Sequence, residues 1–416
     1  MPSIPIKGVL WMAVAIAAMV LWTSPACAMP MFARKYHVAC STCHDAPAIP
    51  RLNEAGYKFR RAGFRMPEQI GEDEADEFNV GNYLSGRVQA DFGLERASEE
   101  GTPRTNSSFS TELSLYPLTG SFQRHWATET EIALAPGEAP EIENAYLRGV
   151  WGSEERWLEL RAGIFHSLEG FGGSDRPLGV TAPLFESAGA VQGQDTLFRL
   201  DEMNRLGAEA GFEWKRTALT LQVLNSLNTV VNDGEVSATG TIPGHGNRRD
   251  IAVFANQILG ARSGVSALWV HGFTYPPVDT EAFGAGTSEA TWRNAYDRLA
   301  LFGAVGTGRL TCLAGAGLGF DQSRDPDTGN KTRFRSSGGF VEADVKLKNW
   351  LVTFARLDYF DPSASLAKNE QGAAALGAVL QADWLYATPE LRYQRINSPE
   401  GATHGEGFVL RVAAIY

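Results

Sequence analysis

The chain has 416 residues, of which 44% are apolar, and its formal net charge at neutral pH is −11. This length suffices for two ordinary domains or one large one. The acidic balance argues against nucleic acid as a partner, because phosphate backbones are bound through basic surfaces. The four cysteines are too few for a disulfide scaffold in a chain of this length.

Residues 1–28 are typical of an export signal. Lys7 is their only charged residue, and positions 9–22 form an uninterrupted apolar run that is too short for an ordinary membrane-spanning helix. The sequence ACA at 26–28 is a small-x-small cleavage site, so we expect the signal peptide to be removed after it. A lipid anchor on Cys27 is the alternative, although SPAC is a poor lipobox.

A short motif follows the predicted cleavage site. Cys40, Cys43 and His44 form C-x-x-C-H, the attachment sequence of a c-type haem. Each cysteine sulfur would add to one vinyl group of the porphyrin, and His44 would be the proximal ligand of the iron. The alternative is a Cys40–Cys43 redox pair, but no βαβ pattern surrounds the motif and His44 would then have no role. We therefore predict one covalent haem c.

The second axial ligand of this haem is left open by the sequence. Met66 lies beyond a predicted helix over 51–64 that could fold back, and a thioether would raise the reduction potential. An ordinary surface methionine before Pro67 is the other reading of Met66. His37 lies too close to the motif to cross the haem plane easily. The other candidates are Met29, Met31 and the histidines at 125, 166, 245, 271 and 404, and the position can also be left open.

The chain beyond residue 80 alternates between apolar and polar residues. The stretch 341–348 (VEADVKLK) puts its four apolar residues on one face and its four charged residues on the other. Residues 209–215 and 309–320 follow the same rule, which is typical of strands that separate two solvents. Cys312 falls on an apolar face, where we expect it to act as a small hydrophobic residue. No segment after residue 28 has the length of a spanning helix.

A soluble β-sandwich would show the same period, but three features favour a barrel that faces lipid. The segments are about ten residues long, as tilted spanning strands require. The chain ends in the alternating stretch GFVLRVAAIY, which resembles the assembly signal of bacterial outer-membrane barrels. Aromatic residues near segment ends resemble interfacial girdles: Trp157, Trp350, Tyr359, Trp384 and Tyr393.

We therefore predict an all-β fold in the bacterial outer membrane, a transmembrane antiparallel β-barrel over residues 84–416 with periplasmic termini. The barrel is expected to have about 16 strands, starting near 84, 109, 122, 142, 157, 205, 217, 250, 263, 293, 307, 336, 349, 373, 387 and 405. Tight connections are expected at 215–217, 261–264, 348–350 and 386–390, and long loops at 167–204, 228–249 and 275–292. The first long loop either folds into the lumen as a constriction or lies at the surface.

Residues 29–78 form the second predicted unit, a small α-helical monohaem cytochrome c segment that the acidic stretch 71–78 links to the barrel. So short a segment contains too little apolar material to surround a porphyrin alone. A barrel of about sixteen strands leaves an open lumen unless something fills it. We therefore expect the haem segment to be lodged in the lumen.

The stretch 31–64 closely resembles the opening of the fused monohaem cytochrome–porin family of outer-membrane iron oxidases. The matching elements are Phe32-Ala33-Arg34, Cys40 to His44, Pro50-Arg51-Leu52-Asn53, Gly56 to Phe59 and Gly63-Phe64. The last of these differs from the Gly-Tyr of the family by one ring hydroxyl. The rest of the chain matches in length and barrel pattern rather than in sharp motifs.

The resemblance implies oxidation of extracellular Fe(II) and delivery of the electron inward to periplasmic electron-transfer proteins. It carries over Cys40, Cys43 and His44, but neither an iron-binding site nor the sixth haem ligand. Two readings of other classes stay open. One is an electron-conduit component that is not specific for iron, and the other is a solute porin whose haem is structural or sensory.

Fe(II) can donate its electron through an outer-sphere contact or a loose carboxylate site. By strand parity, the carboxylates expected in the lumen include Glu129, Glu131, Glu342, Asp344 and Asp383. The plainer reading is that each is a lumen charge paired across strands, with basic partners such as Arg161, Lys346 or Arg392.

Overall fold

The computed structural model describes residues 31–44, 51–73, 79–99, 102–167, 170, 177–187, 204–225, 249–274, 294–324, 331–364, 369–382, 384–398 and 401–415. Several predictions made above lie outside these residues. They are the signal peptide with Cys27, most of the acidic linker 71–78, His245, Asp383 and the terminal Tyr416.

Long antiparallel strands make up most of the described residues. They are β1 Ser85–Glu99, β2 Thr102–Tyr116, β3 Gly120–Ser121, β4 Trp126–Leu134, β5 Glu141–Ser153, β6 Arg156–His166, β7 Asn204–Trp214, β8 Thr217–Asn225, β9 Arg249–Gly260, β10 Ser263–Thr274, β11 Asn294–Thr307, β12 Leu310–Arg324, β13 Lys331–Lys348, β14 Leu351–Asp361, β15 Gln371–Ala382, β16 Leu385–Ser398 and β17 Gly401–Ile415.

Pairing of the first and last strands closes the sheet into a barrel. β1 pairs with β17 from Arg87↔Ile415 to Ser98↔His404, so the alternating C-terminal stretch completes the wall. Sixteen strands form the ring, and the two-residue β3 pairs beside β4. The prediction of a barrel of about 16 antiparallel strands is confirmed.

Burial in the wall is inverted relative to a soluble protein. In β6, Leu158 and Leu160 are exposed whereas Glu159 and Arg161 are buried. The same inversion runs along β7, where Phe212 is exposed between buried glutamates. Apolar side chains outside and charged side chains inside are the pattern of a barrel that faces lipid around a polar lumen.

One end of the barrel is built from two-residue turns. These turns lie at 154–155, 215–216, 261–262, 308–309 and 349–350, between paired residues of successive strands. We call this the short-turn end. The long connections that follow β6, β8 and β10 all lie at the opposite end, because successive strands run antiparallel.

The tight connection predicted at 386–390 is wrong. These residues lie inside β16, and the turn comes before Leu385. The sequence misled because Pro389 is usually a turn residue. Here Pro389 pairs with Leu410 of β17, whereas on the β15 side the ladder is interrupted between Glu390 and Ala387. A proline has no N–H to donate, so it is tolerated where the ladder is interrupted.

The predicted aromatic girdle holds only in part. Trp350, Tyr359 and Tyr393 are exposed on the outer surface, as a girdle requires. Trp157 is instead buried on the inner face, where it packs against Ala62 and Ile70 of the N-terminal segment, so its assignment to the girdle is wrong.

The N-terminal segment contains short helices: α1 Met31–Tyr36, α2 Glu54–Arg61 and 3-10 turns at Cys40–Thr42, Pro67–Gln69 and Val80–Asn82. Loop 177–187 adds α3 Leu184–Ser187. Among the described residues, no helix has the length and apolar character needed to cross a membrane.

Both ends of α2 are specified by the local sequence. The side chain of Asn53 accepts a hydrogen bond from the Gly56 N–H at 3.0 Å and caps the N-terminus. At the C-terminus, Gly63 adopts a left-handed conformation with φ +75°, and the Phe64 N–H donates to the Phe59 carbonyl at 3.0 Å. This arrangement is a Schellman cap, for which glycine is the favoured residue.

A buried guanidinium fixes the segment inside the barrel. Arg61 is 2% exposed and forms ion pairs with Glu159, Glu209 and Glu213, which lie on the inner faces of β6 and β7. Its Nη2 also donates to Thr220 on β8 at 2.9 Å. These contacts place α2 within the lumen, because the carboxylates it meets point away from the lipid.

Further contacts hold the segment at the short-turn end. Arg51 pairs with Glu342 and Asp344 on β13, on the far side of the lumen from β6. The Glu54 N–H donates to the Ala261 carbonyl at 3.0 Å, in the β9–β10 turn. Arg65 donates to backbone carbonyls in the stretch before β4, including that of Gln123 at 2.8 Å. The N-terminal segment thus spans the barrel mouth between opposite walls.

Replacing Arg61 by methionine should loosen this attachment, because it leaves buried carboxylates without their cation. Loss of one member of a buried ionic network costs about 3–5 kcal/mol. We expect the segment to be released at a lower urea concentration. The fluorescence of Trp157 reports this release. The control is Arg216→Ala, which removes an exposed ion pair to Glu54 and should cost less than about 1 kcal/mol. Equal midpoints for both variants would contradict the assigned role of Arg61.

Candidate functional site

The C-x-x-C-H motif folds into a single tight turn. Cys40 begins a 3-10 turn, and its carbonyl accepts hydrogen bonds from the N–H groups of Cys43 at 3.2 Å and His44 at 3.0 Å. Both cysteines are half-buried. The three side chains of the motif are therefore presented together by one short piece of backbone, as attachment to one porphyrin requires.

The start of α2 is packed directly on this turn. The Asn53 N–H donates to the Cys43 carbonyl at 2.9 Å, and its side chain donates to the Thr42 carbonyl at 3.0 Å. A Cβ at Gly56 would collide with the Cys43 carbonyl and with the Leu52 side chain. Asn53 and Gly56 therefore set the distance between the motif and the helix, a role that the sequence did not predict. The available signal was their place among the elements that resemble the cytochrome–porin family, at 50–53 and 56–59.

His44 is held in the form that a metal ligand needs. Its Nδ1 lies 3.2 Å from the Arg51 carbonyl oxygen. A carbonyl can only accept, so Nδ1 carries the proton and Nε2 keeps its lone pair. Burial lowers the pKa of His44, although the hydrogen bond to Arg51 acts in the opposite direction. A neutral imidazole oriented through its other nitrogen is the usual arrangement of a histidine that binds a metal.

The two cysteines lie close together in a partly buried environment. Burial, and then the neighbouring Cys40, raise the pKa of the Cys43 thiol. The compact turn and the orientation of His44 fit a covalent haem, for which Cys40 and Cys43 would be the attachment points and His44 the axial ligand.

Met66 lies in an aromatic cluster. It packs against Phe59 and Phe64, together with Phe32 and Tyr36 from α1. Phe32 stacks on Phe64 with ring centroids 5.2 Å apart. This packing accounts for Met66 as an apolar residue, and its role as sixth haem ligand stays a prediction. Met31 is buried in α1, and Met29 lies outside the described residues.

The histidines of the barrel have local partners. The Nδ1 of His125 lies 2.9 Å from the Val150 carbonyl, that of His271 lies 3.0 Å from Asp297, and that of His404 lies 2.7 Å from the Tyr393 hydroxyl. His166 lines a cavity described below. His37 is exposed with φ +52°, at the end of α1. Cys312 is exposed on the outer face of β12, in agreement with its predicted apolar role.

The described part of the loop after β6 folds into the lumen. Phe185 packs against Phe302 and Phe340, whose side chains point inward from β11 and β13. At the other side of the loop, Glu390 of β16 accepts hydrogen bonds from the N–H groups of Val180 at 2.6 Å and Thr181 at 3.4 Å. Residues 177–187 therefore narrow the lumen, which decides between the two alternatives for this loop.

An acidic cavity of about 460 Å³ lies between this loop and the N-terminal segment. Its wall includes Glu129, Glu131 and Glu143, and Arg60 and Arg87 supply positive charge beside them. Glu143 was not predicted to face the lumen. A register shift between Glu131 and Ile132 in the β4–β5 ladder leaves Glu143 as an extra residue and turns it inward.

The other predicted lumen carboxylates have strong partners. Glu342 and Asp344 are buried and pair with Arg51, and Glu342 also lies 3.9 Å from Arg356. Glu342 accepts a further hydrogen bond from the Leu178 N–H at 2.7 Å. These carboxylates therefore join the N-terminal segment, the wall and the loop. Arg161 does pair with a wall carboxylate, namely Glu209 at 2.6 Å.

Comparison with known proteins supports the fold. No protein-family model and no curated protein matches the chain. Among solved structures, the chain is similar to the anion-selective porin from Comamonas acidovorans, at 10% identity and a TM-score of 0.54 over 80% of this chain and 98% of that one. It is also similar to the in-vitro folded outer membrane protein OmpT of Vibrio cholerae, at 12% identity and a TM-score of 0.51 over 80% and 99% of the two chains.

The likeness at these identities concerns the fold alone. The chain is a porin-like β-barrel of the kind found in bacterial outer membranes. Its inverted burial agrees with this class.

Replacing Gly56 by alanine should displace the C-x-x-C-H turn. Overpacking of this kind costs about 1–3 kcal/mol. If the motif carries the predicted haem, we expect the haem-stained fraction of the purified protein to fall roughly tenfold. Gly405→Ala is the control, because a Cβ there meets nothing within 4 Å. Unchanged haem staining of the Gly56 variant would show that the packing of α2 on the turn is not required.

Replacing Glu390 by alanine should release the loop from the wall. It leaves the Val180 and Thr181 N–H groups without their acceptor, at a cost of about 1–3 kcal/mol. We expect a larger single-channel conductance in planar bilayers. Glu95→Ala removes an exposed glutamate from β1 and serves as the matched control. A conductance equal to that of this control would contradict the constriction.

Proposed function

We propose that the protein is an outer-membrane electron-transfer protein in which a covalent haem c is held inside a porin-like barrel. Cys40 and Cys43 would form the two thioether bonds, and His44 would bind the iron through Nε2. When bound, the haem supplies one-electron redox chemistry. The observation that carries the proposal is the orientation of His44 on Arg51, within a motif whose turn is packed against a helix inside the lumen.

The residues around the motif favour this role over a surface cytochrome. The N-terminal segment buries Tyr57 and Phe59, and it reaches opposite walls through Arg51 and Arg61. The barrel can therefore supply the walls that the short segment lacks. A segment fixed at several points also resists reorganisation, which keeps the cost of electron transfer low.

The barrel architecture suggests which side receives the electron. Outer-membrane barrels carry short turns in the periplasm and long loops outside. We therefore assign the short-turn end, with the C-x-x-C-H motif, to the periplasm, and we propose periplasmic electron-transfer proteins as acceptors. Both chain termini would then lie on the periplasmic side.

Extracellular Fe(II) is the donor that we propose. It would lose one electron to become Fe(III), and the electron would leave through a periplasmic acceptor. The acidic wall at Glu129, Glu131 and Glu143 supports a cationic donor, because it lies between the inward loop and the N-terminal segment. On this reading the protein acts as an Fe(II):cytochrome oxidoreductase. An electron conduit that is not specific for iron would use the same haem with another donor.

A solute porin is the second candidate, and the fold favours it. In that case the haem would be structural or sensory. The constricting residues 177–187 leave only part of the lumen for solutes, and the N-terminal segment occupies the short-turn end. Diffusion of small sugars into liposomes would distinguish this candidate.

Stopped-flow spectroscopy of whole cells tests the proposal. Fe(II) added outside should reduce the haem at a rate proportional to the metal concentration, and cells carrying Cys43→Ser should show no such signal. Reduction by dithionite but not by Fe(II) would refute Fe(II) as donor and favour the conduit reading. Rapid liposome swelling with sugars, together with a haem that no donor reduces, would favour the porin.

A further inference from the structure

The short-turn end carries an unequal distribution of charge. Successive turns from β7 to β14 bring basic side chains to one sector of the rim, although the chain as a whole has a net charge of −11. We call this sector the basic arc. Its members are Lys215, Arg216, Arg262, Arg309, Lys346 and Lys348.

The turn next to the basic arc, on its β7 side, is acidic, and the Glu155 carbonyl there accepts a hydrogen bond from the Lys215 N–H at 2.6 Å. Glu154 and Glu155 form the β5–β6 turn and are exposed. Glu72 and Asp73 are also exposed, and they follow Gly71, which accepts a hydrogen bond from Arg124 and lies close to Gly152 of β5. The sign of the charge therefore changes between neighbouring turns of the rim, and this change would orient a charged partner that approaches this end.

Two residues of the basic arc have partners within the protein. Arg216 pairs with Glu54 at 3.1 Å, and Arg262 donates to the Gly308 carbonyl at 2.9 Å and to Thr311 at 2.6 Å. Lys215, Arg309 and Lys348 are exposed, and no ion pair is seen for them among the described residues. Their charges are therefore available to a partner.

The basic arc lies beside the C-x-x-C-H motif. Asn53 donates to the Cys43 carbonyl at 2.9 Å, and the next residue, Glu54, donates to Ala261 in the β9–β10 turn at 3.0 Å. Glu54 also forms an ion pair with Arg216 of the β7–β8 turn. Two adjacent residues thus join the motif to the middle of the arc.

We infer that the basic arc is the docking surface for a small soluble redox protein that presents an acidic face around its own redox centre. Complementary charge would raise the association rate and bring the two redox centres to the same side of the interface. This inference rests on the proposed function, since it specifies the acceptor side of the same electron path. Anionic lipid headgroups would meet the same charges, so the test includes them.

Binding of two probe proteins to the full-length protein in zwitterionic detergent tests the docking surface. The acidic soluble domain of cytochrome b5 should bind, with an affinity that falls steeply as salt rises, whereas basic mitochondrial cytochrome c should not. Combining Lys215→Gln, Arg309→Gln and Lys348→Gln should weaken binding of the acidic probe about tenfold at low salt.

The matched control removes three positive charges from the opposite end of the barrel. The control variant combines Arg96→Gln, Arg333→Gln and Arg335→Gln, which change exposed residues at the end of the barrel with the long connections. Its net charge equals that of the arc variant. Binding should then stay at the wild-type level. Equal weakening in both triple variants would overturn the docking surface, because only net charge would matter.

Two further outcomes would also overturn the inference. One is equal binding of the acidic and basic probes. The other is an arc variant that binds cytochrome b5 normally but loses affinity for phosphatidylglycerol vesicles, which would make the arc a lipid-headgroup site. Binding does not depend on haem, so a protein that lacks haem but binds the acidic probe through the arc would count against the proposed function alone.

Discussion

One buried guanidinium holds the structure's two parts together. Arg61, on a helix near the N-terminus, meets three glutamates on two neighbouring strands of the barrel wall. A barrel of sixteen strands has a lumen wide enough to admit such a segment, and buried charges are tolerated there only when they are paired. The pairing fixes α2, and α2 in turn fixes the C-x-x-C-H turn through Asn53 and Gly56.

The sequence predicted the strands of the barrel wall well, because the alternation of side chains in a strand depends only on neighbouring residues. Alternation with a period of two identifies both the strands and the face that meets lipid, as in β6 and β7. The same rule failed where a local feature overrode it. Pro389 lies within a strand rather than a turn, Trp157 points inward to pack on Ala62, and a bulge turns Glu143 into the lumen.

The candidate site was predictable only to the extent that it is local. C-x-x-C-H is a contiguous motif, so Cys40, Cys43 and His44 could be named without a structure. The partner of Arg61 at Glu213 is 152 residues away, and that of Arg51 at Asp344 is 293 residues away. A single sequence contains many arginines and glutamates, and nothing in the local pattern says which of them meet. For the same reason, the sequence did not decide whether residues 177–187 fold into the lumen or lie at the surface.

The proposed function gives each feature of the lumen a part in the passage of an electron. The inward loop narrows the barrel, the N-terminal segment crosses its short-turn end, and an acidic cavity lies between them. The loop and the segment would hinder a diffusing solute, whereas the acidic cavity between them would attract the proposed cationic donor. In the proposed function, the barrel therefore serves as an insulating housing and the short segment carries the chemistry.

Electrophoresis of outer-membrane fractions tests the central claim most directly. One polypeptide should stain for haem after denaturation, as a thioether-linked porphyrin does, and should migrate differently before and after heating, as a folded barrel does. In the Cys43→Ser variant, the heat-dependent shift should persist while the covalent haem stain is lost. A haem stain that stays with the Cys43→Ser variant, or a heat-modifiable wild-type band without haem, would contradict the account.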